Sequence, residues 1–454
     1  MKPISARALL RGLWPHAPAG LTITAVVTDS REVVPGCLFV AIKGERVDGH
    51  DFAAAAFEGG AALVLAQRAI EGVPGDKLVI VPDVLDGMIR MGANYRTAFS
   101  PLILAITGSV GKTTTKEFAA AIFSAFGDTL KTEGNQNNEI GLPKTLFRLD
   151  ETIRYAAIEM GMQGPGEIRK LTKAVRPDAA IITRIGYAHI EQLGSLENVL
   201  QAKLEVGEGL RFGSPLILNG DDPRLRKAVP PDGLPIFWAG IDNPENDVRA
   251  DKIRKEAHGQ VFEIVDRQFG RYETFIPALG HHNVGNALLA YTAATRLGLN
   301  AEQSAAALAA FQPAGCRLQT EESGGVTLIE DFYNAGPDSM RAALAVLADM
   351  EPEGRRVAVL GDMLELGAVS EEAHRALGEQ AAKAGVELLV GVGERAMLTA
   401  AEAERRGLRV WHTTSNAEAA RILQKEVRSG DAVLLKASRG MKFEEILQDF
   451  LAGR

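Results

Sequence analysis

Thr107-Gly108-Ser109-Val110-Gly111-Lys112-Thr113-Thr114 lies between an apolar run, residues 102–106, and a helical pattern over residues 116–126. The order reads as strand, turn and helix. Gly108 and Gly111 let backbone N–H groups close around phosphate oxygens, and Ser109, Val110 and Thr114 belong to the same cradle. Lys112 supplies a point charge near the β and γ groups, and the Thr113 hydroxyl is placed to hold Mg²⁺. The stretch therefore predicts a nucleoside triphosphate site with ATP and Mg²⁺ as its ligands. The usual pattern has a glycine five residues before Gly111, where Ile106 stands, so the loop is of a shorter subtype that opens at Thr107. A glycine turn in any α/β domain is the plain alternative. The lysine and threonine directly after the second glycine argue against it.

A chain of 454 residues exceeds the roughly 250 to 300 at which a single core stops growing, so two or three domains are expected. A hydrophobic share of 46% with 24% charged residues is that of an ordinary globular protein and excludes disordered and membrane classes. Fifty basic against 58 acidic residues give a net charge of −8, without the electrostatic footprint of a nucleic-acid binder. Phosphate recognition must then be local. Cys37 and Cys316 make neither a disulfide framework nor a metal-ligand spacing, which points to a reducing cytosol. Arg7 and Arg11 interrupt the apolar stretch near the N-terminus, so no signal peptide is expected there, and no run suits a bilayer span.

Along the chain, short strand-like runs at residues 22–27, 37–41 and 78–81 surround a helical stretch at 52–57, a small α/β unit ahead of the phosphate loop. From residue 102 strands and helices alternate: strands at 156–158, 179–183 and 215–218, a helix at 196–210. That is a parallel, doubly wound pattern. A β-rich insertion at 259–276 precedes a helix at 284–297, and Pro313-Ala314-Gly315 is the expected hinge. Five strand-then-helix units follow, opening at Thr327, Arg356, Leu388, Arg409 and Ala432, enough for a Rossmann-like domain. The expected division is 1–98, 99–314 and 315–454.

Tyr155-Ala156-Ala157-Ile158 ends in Glu159, where a phosphate-loop fold puts its second acidic group beside Mg²⁺. A solvent-exposed strand end is the alternative. Taken alone, His189 reads as a loop histidine and Lys203 as a solvated helix charge.

The phosphate loop resembles the ATP loop of the Mur ligases, enzymes that extend the peptidoglycan precursor peptide one step at a time. Gly134-Asn135-Gln136-Asn137-Asn138-Glu139-Ile140-Gly141-Leu142-Pro143 resembles the loop of the family member that adds D-alanyl-D-alanine to UDP-N-acetylmuramoyl-tripeptide. Asp331-Phe332-Tyr333-Asn334-Ala335-Gly336-Pro337-Asp338-Ser339-Met340 and Val359-Leu360-Gly361-Asp362-Met363-Leu364-Glu365-Leu366-Gly367 resemble the same member. The resemblance implies a UDP-binding N-terminal domain, a central ATPase domain, a C-terminal ligase domain, and a monomeric cytoplasmic enzyme with small-molecule substrates.

Residue by residue, it implies that Lys203 is carbamylated by CO₂ and binds a second Mg²⁺ with His189, because a carbamate turns a repelling cation into a hard oxygen ligand. Asn283 and Asn286 match the segment that contacts adenine, with Asn283 also suited to cap its helix. Arg317 and Asp331 match groups that close on the ATP phosphates and ribose side. Ser30, beside Arg31, and the Glu45-Arg46-Val47 loop match the uracil site, while Asn137, Asn138, Asn334, Ser438 and Arg439 fall in substrate-contacting motifs. Arg184, Gly336, Ala437 and Gly440 depart from the family pattern at substrate contacts, not at the phosphate loop. The siblings that add other residues share the ATP loop, and the Asp-Asn-Pro-Arg motif of the diamino-acid-adding sibling is missing. A phosphate-loop switch that hydrolyses ATP to reshape a partner is the rival from another class.

Overall fold

Leu102–Thr107 is almost wholly buried, and its Leu-Ile-Leu-Ala-Ile-Thr sequence suits a strand covered on both faces. A computed structural model describes every residue except Ala19, Ala257, Ala314, Cys316 and Arg454. In it this strand lies inside a nine-stranded sheet, between Ala179–Ile182 on one side and Tyr155–Glu159 on the other. Thr129–Lys131 closes one edge. Beyond Ala179–Ile182 come Leu216–Asn219, Ile236–Gly240 and Val248–Glu256, each parallel to the strand before it. The antiparallel strands Gly259–Asp266 and Gly270–Ile276 complete the other edge. After Leu102–Thr107 the chain winds to one side, and after Ala179–Ile182 to the other. The two strand ends therefore frame the crevice in which such sheets bind ligands.

The first unit pairs Val26–Val27, Leu38–Val40, Leu63–Ala66 and Leu78–Ile80 in parallel. Its helix Val84–Arg96, capped by the Asp83 carboxylate on the N–H groups of Leu85 and Asp86, packs against the central unit. Tyr95 Oη donates to Leu149 O at 2.9 Å and Arg96 Nε to Val175 O at 2.7 Å. Met88, Met91 and Tyr95 share one apolar core with Leu142, Leu146 and Leu171 of the central unit. The last unit is a six-stranded sheet with order Gln319–Ser323, Val326–Glu330, Ala432–Lys436, Arg356–Gly361, Leu388–Val392 and Arg409–Thr413. All its pairs are parallel except the first.

Mixed α/β architecture with parallel sheets is thus as expected, with local corrections. Residues 22–27 split into two strands: Thr22–Ile23 pairs with Ile4–Ser5, and Val26–Val27 joins the larger sheet. The helix expected at 52–57 is a 3₁₀ turn, Gly49–Phe52, running into Ala53–Glu58. The one at 196–210 is α-helical only over Leu196–Leu204 and tightens to 3₁₀ over Glu205–Gly209. The strand Val248–Glu256 extends the insertion backwards. Asn283 does not cap its helix: Gly280, at φ 91°, turns the chain so that the helix spans His281–Arg296. The expected hinge at 313–315 includes Ala314, which lies outside the described residues, as does Cys316; Cys37 is buried and free.

The insertion is fixed to that helix by a buried ion pair. Arg296 Nη1 and Nη2 each donate to one Asp266 oxygen at 3.0 Å, and the guanidinium lies 5.0 Å from the Phe237 ring and 5.1 Å from that of Phe269. The Asp266 side chain is wholly buried. Removing it strands a cation in an apolar pocket. Asp266→Ala is expected to destabilise the central unit by about 3–5 kcal/mol. Urea unfolding followed by circular dichroism measures this, and pairing it with Arg296→Leu should restore much of the loss.

Candidate active site at the sheet switch point

Two loops are stitched together where the central strands end. Ser109 N donates to Arg184 O at 2.8 Å, Gly186 N donates to Ser109 Oγ at 2.9 Å, and Ser109 Oγ donates to Gly186 O at 3.1 Å. Thr183 Oγ1 donates to Val110 O at 2.5 Å. These contacts leave no room for side chains at the glycines. A Cβ on Gly108 would lie 2.0 Å from Thr183 Oγ1, and one on Gly111 would lie 2.6 Å from Asn286 Oδ1. Gly111 also sits at φ 90° and starts the helix Lys112–Ser124, whose N-terminal N–H groups face the loop. This is the cradle expected of a phosphate site.

The loop opens into a cavity of about 850 Å³ lined by Ser109, Val110, Gly111, Lys112, Thr113 and Thr114 and by Glu159 and His189. Asn283, Asn286, Arg317, Asp331 and Asn334 line it as well. Residues from the 134–143 loop, Asn137 and Asn138 among them, form another wall. Most residues singled out in the sequence therefore meet in one chamber. Gly108 supports the chamber from behind. Ser30, Arg31, Glu45, Arg46 and Val47 lie elsewhere, on the first unit. There Asp29 Oδ1 accepts from Arg31 N at 2.9 Å and Gly44 N donates to Val47 O at 2.9 Å, so both segments are tight turns. Ser438 and Arg439 are also outside the chamber wall. Ser438 Oγ accepts from Leu364 N at 3.0 Å, and Arg439 pairs with Glu444 at 3.1 Å.

At the inner end of the cavity, Glu159 is 2% exposed, so its strand-end carboxylate is not solvated. Oε2 accepts from Thr113 Oγ1 at 2.9 Å, and Oε1 accepts from Asn137 Nδ2 at 2.8 Å. Behind it Lys203 is completely buried, and its Nζ has no hydrogen-bond partner among the described residues. Burial, and then the Lys112 charge, push its pKa well below that of a free lysine. The surface-charge reading of Lys203 is therefore overturned. His189 is held at φ 61°, a left-handed conformation that costs a non-glycine residue about 1–2 kcal/mol and is a mark of functional sites. Burial, with Lys203 and Lys112 next in effect, pushes its pKa down to about 4. At neutral pH its imidazole is uncharged and able to ligate a metal. Glu365 Oε2, also on a left-handed residue, lies 3.3 Å from His189 Nδ1 without hydrogen-bond alignment, since that nitrogen has no hydrogen-bond partner.

The C-terminal unit supplies the outer wall. Arg317 stacks over the Tyr333 ring at 4.0 Å, and buried Lys436 Nζ donates to Asp331 Oδ2 at 2.5 Å and to Asn334 O at 3.2 Å. Asn286 Nδ2 donates to Asn283 Oδ1 at 3.1 Å, while Asn283 Nδ2 donates to Leu279 O at 2.8 Å. Sequence reasoning missed Glu365 and Asp338 as carboxylates that line the chamber, against His189 and against Gly186 and Arg184. Asp338 Oδ2 would lie 2.4 Å from a Cβ at Gly186. The signal for Asp338 was its place in the first turn of a helix opened by Gly336-Pro337. For Glu365 nothing local distinguishes it from a surface acid.

Three domain-family models cover this architecture: "Mur ligase family, catalytic domain" over residues 22–92, "Mur ligase middle domain" over 106–294 and "Mur ligase, glutamate ligase domain" over 316–439. The UDP-N-acetylmuramoyl-tripeptide--D-alanyl-D-alanine ligase of Bacillus subtilis is 37% identical, covering 94% of this chain and 93% of that one. The chain belongs to the Mur ligase family. The Escherichia coli protein of the same name is 39% identical over 83% of each chain. MurF from Acinetobacter baumannii superposes with a TM-score of 0.90 at 30% identity, over 100% of this chain and 99% of the other. MurF ligase from Thermotoga maritima, solved in complex with ADP, gives 0.84 at 28% identity, over 94% and 97%. An ATP-dependent ligase is accordingly what this family membership and the phosphate loop make of the chain.

Gly111→Ala tests the cradle. It adds left-handed strain of about 1–2 kcal/mol and drives a methyl into Asn286, so ADP affinity should fall by about tenfold or more. Isothermal titration against native protein measures it; unchanged affinity would remove the loop from the nucleotide site.

Proposed function

We propose that this Mur ligase joins D-alanyl-D-alanine to UDP-N-acetylmuramoyl-tripeptide, driven by ATP. The observation that carries the reaction class is a phosphate loop that shares one cavity with Glu159 and His189, with the buried amine of Lys203 close enough to act on His189. The relatives that support the substrates carry that activity in their names. The terminal carboxylate of the tripeptide attacks the γ-phosphorus of ATP, the bond to the β-bridging oxygen breaks, and an acyl phosphate and ADP result. The amine nitrogen of the dipeptide then attacks the acyl carbon, and inorganic phosphate leaves as the amide forms.

Lys112 and Arg317 offset phosphate charge, and the loop N–H groups hold the phosphates in place. Asn283 and Asn286 face the adenine, and Asp331, fixed by Lys436, faces the ribose side. Thr113, Glu159, His189 and modified Lys203 would hold Mg²⁺, which supplies charge neutralisation at the phosphate oxygens when bound. Among the described residues no three or more histidine, cysteine or carboxylate groups form a ready cation site. The unpartnered amine of Lys203 meets that need. With its pKa pushed down by burial, the amine is poised to be neutral, and its nitrogen adds to the carbon of CO₂ with loss of a proton. The resulting carbamate is an anion with two oxygen ligands, in place of a cation that would repel the metal.

In this reading residues 1–98 bind the UDP moiety through Ser30, Arg31, Glu45, Arg46 and Val47. Residues 99–314 bind ATP, and residues 315–454 close over the acceptor. Asn138, Asn334, Ser438 and Arg439 lie toward the peptide substrates. No helix among the described residues is long and apolar enough to cross a membrane. We place the enzyme in the cytoplasm as a monomer, where its nucleotide substrates are.

The acceptor is tested by product mass with D-alanyl-D-alanine, diaminopimelate, L-lysine or D-glutamate as the only amine, using both lysine- and diaminopimelate-containing UDP-tripeptides. Only the dipeptide should couple. Efficient coupling of a single amino acid would move the chain to a sibling activity, and phosphate release indifferent to any amine would favour an ATPase switch.

Lys203→Ala should lose most activity and regain part of it with acetate, which brings a carboxylate to the vacated space. Lys203→Arg should not recover, because guanidinium forms no carbamate. Near-native turnover in Lys203→Arg would return Lys203 to a structural role.

A further inference from the structure

Asn137 belongs to the 134–143 loop, where the family resemblance points to substrate contact. Within the cavity wall its amide reaches Glu159. Nδ2 donates to Glu159 Oε1 at 2.8 Å, and Thr113 Oγ1 donates to Oε2 at 2.9 Å, so each carboxylate oxygen has one neutral donor. The backbone beside it is clamped as well. Gly161 N donates to Asn137 O at 2.8 Å, and a Cβ on Gly161 would come within 2.9 Å of Asn137 Oδ1. Glu159 N donates to Thr132 Oγ1 at 2.9 Å, which fixes the strand end itself.

We propose that Asn137 is a positioning residue: it holds the Glu159 carboxylate in the orientation that receives the metal, and through this bond ties the 134–143 loop to the ATP side. The inference rests on the reading that Glu159 is a metal partner. A carboxylate oxygen has two lone pairs, so one N–H and one O–H donor fix the plane and leave a lone pair on each oxygen free. A neutral donor does this without cancelling the negative charge. A lysine or arginine in the same place would hold the carboxylate equally well but would neutralise it. Outer-shell partners of this kind commonly set metal affinity by 10- to 100-fold.

The test is Mn²⁺ binding to the full chain with ADP, followed by electron paramagnetic resonance without either acceptor. Asn137→Ala should weaken Mn²⁺ binding by about 10-fold or more, with Asn137→Ser, which keeps a shorter donor, between it and native protein. In a Glu159→Gln background the alanine substitution should add no more than about twofold, because its partner is already altered. The KM values for UDP-tripeptide and dipeptide should move less than the Mn²⁺ affinity does. Native Mn²⁺ affinity in both Asn137 variants, with a raised KM for dipeptide, would overturn the proposal and make Asn137 a substrate contact. An equal loss in the Glu159→Gln background would overturn it too, since Asn137 would then act independently of Glu159. If native protein binds no Mn²⁺ with ADP, the metal reading fails and this inference with it. Mn²⁺ affinities as expected, with native protein coupling an amine other than the dipeptide, would overturn only the substrate assignment and leave this inference standing.

Discussion

A buried amine without a partner is the constraint around which the site is arranged. Holding an unpaired ammonium away from water costs several kcal/mol, so a fold that keeps Lys203 wholly buried favours another chemical form. Glu167, Glu159 and Glu205 act on it through space in the stabilising direction, but the effect of burial and of Lys112 is larger. His189 feels the same surroundings and is uncharged at neutral pH. The cluster thus sets the Glu159 carboxylate among three nitrogen groups, Lys112, His189 and Lys203, in all of which burial works against positive charge. That distribution suits a place where phosphates and a divalent cation meet. A site built only to hold the fold would have paired Lys203 with one of the nearby carboxylates.

Sheet topology produces this proximity. Strands Leu102–Thr107, Tyr155–Glu159 and Ala179–Ile182 are neighbours, so the residues at or just after their ends, Lys112, Glu159 and His189, converge although they are far apart in sequence. Close approach then requires glycine at 108, against Thr183 of the second loop, at 111, against Asn286 of the helix His281–Arg296, and at 186. At Gly186 the obstructing group is Asp338 of the C-terminal unit, so the segment that hydrogen-bonds Ser109 of the phosphate loop also lies against that unit.

The legible part of the sequence was the part whose signal is local. Buried parallel strands such as Leu388–Val392 and Ala432–Lys436 read as continuous apolar runs, and the five units of the C-terminal sheet open within one residue of where they were expected. Val248–Glu256 escaped because the charged residues 252, 254, 255 and 256 are exposed and the last three are consecutive, so both faces of the strand end are open and neither an apolar run nor clean alternation marks it. The cap of helix His281–Arg296 was misplaced because Gly280 works by backbone conformation and offers no side-chain signal. At the site, Lys203 and His189 looked ordinary alone, and the resemblance supplied their roles. The partnership of Asn137 with Glu159 was invisible, since it joins two loops through a hydrogen bond that no spacing encodes.

The two outer units are attached by different physics. The N-terminal unit shares a continuous apolar core with the central one and adds buried hydrogen bonds from Tyr95 and Arg96, so separating them would expose a large hydrophobic surface. The C-terminal unit meets the chamber mainly through polar groups: Arg184 lies 3.9 Å from Asp338, Glu365 stands off from His189, and Lys255 Nζ donates to Asp349 O at 2.6 Å, with Tyr187 the apolar contact. Polar contacts of this kind exchange for water at little net cost, as in transient interfaces. The C-terminal unit is therefore the one held to the chamber at the smaller cost of separation, while the N-terminal unit is bound through a shared core.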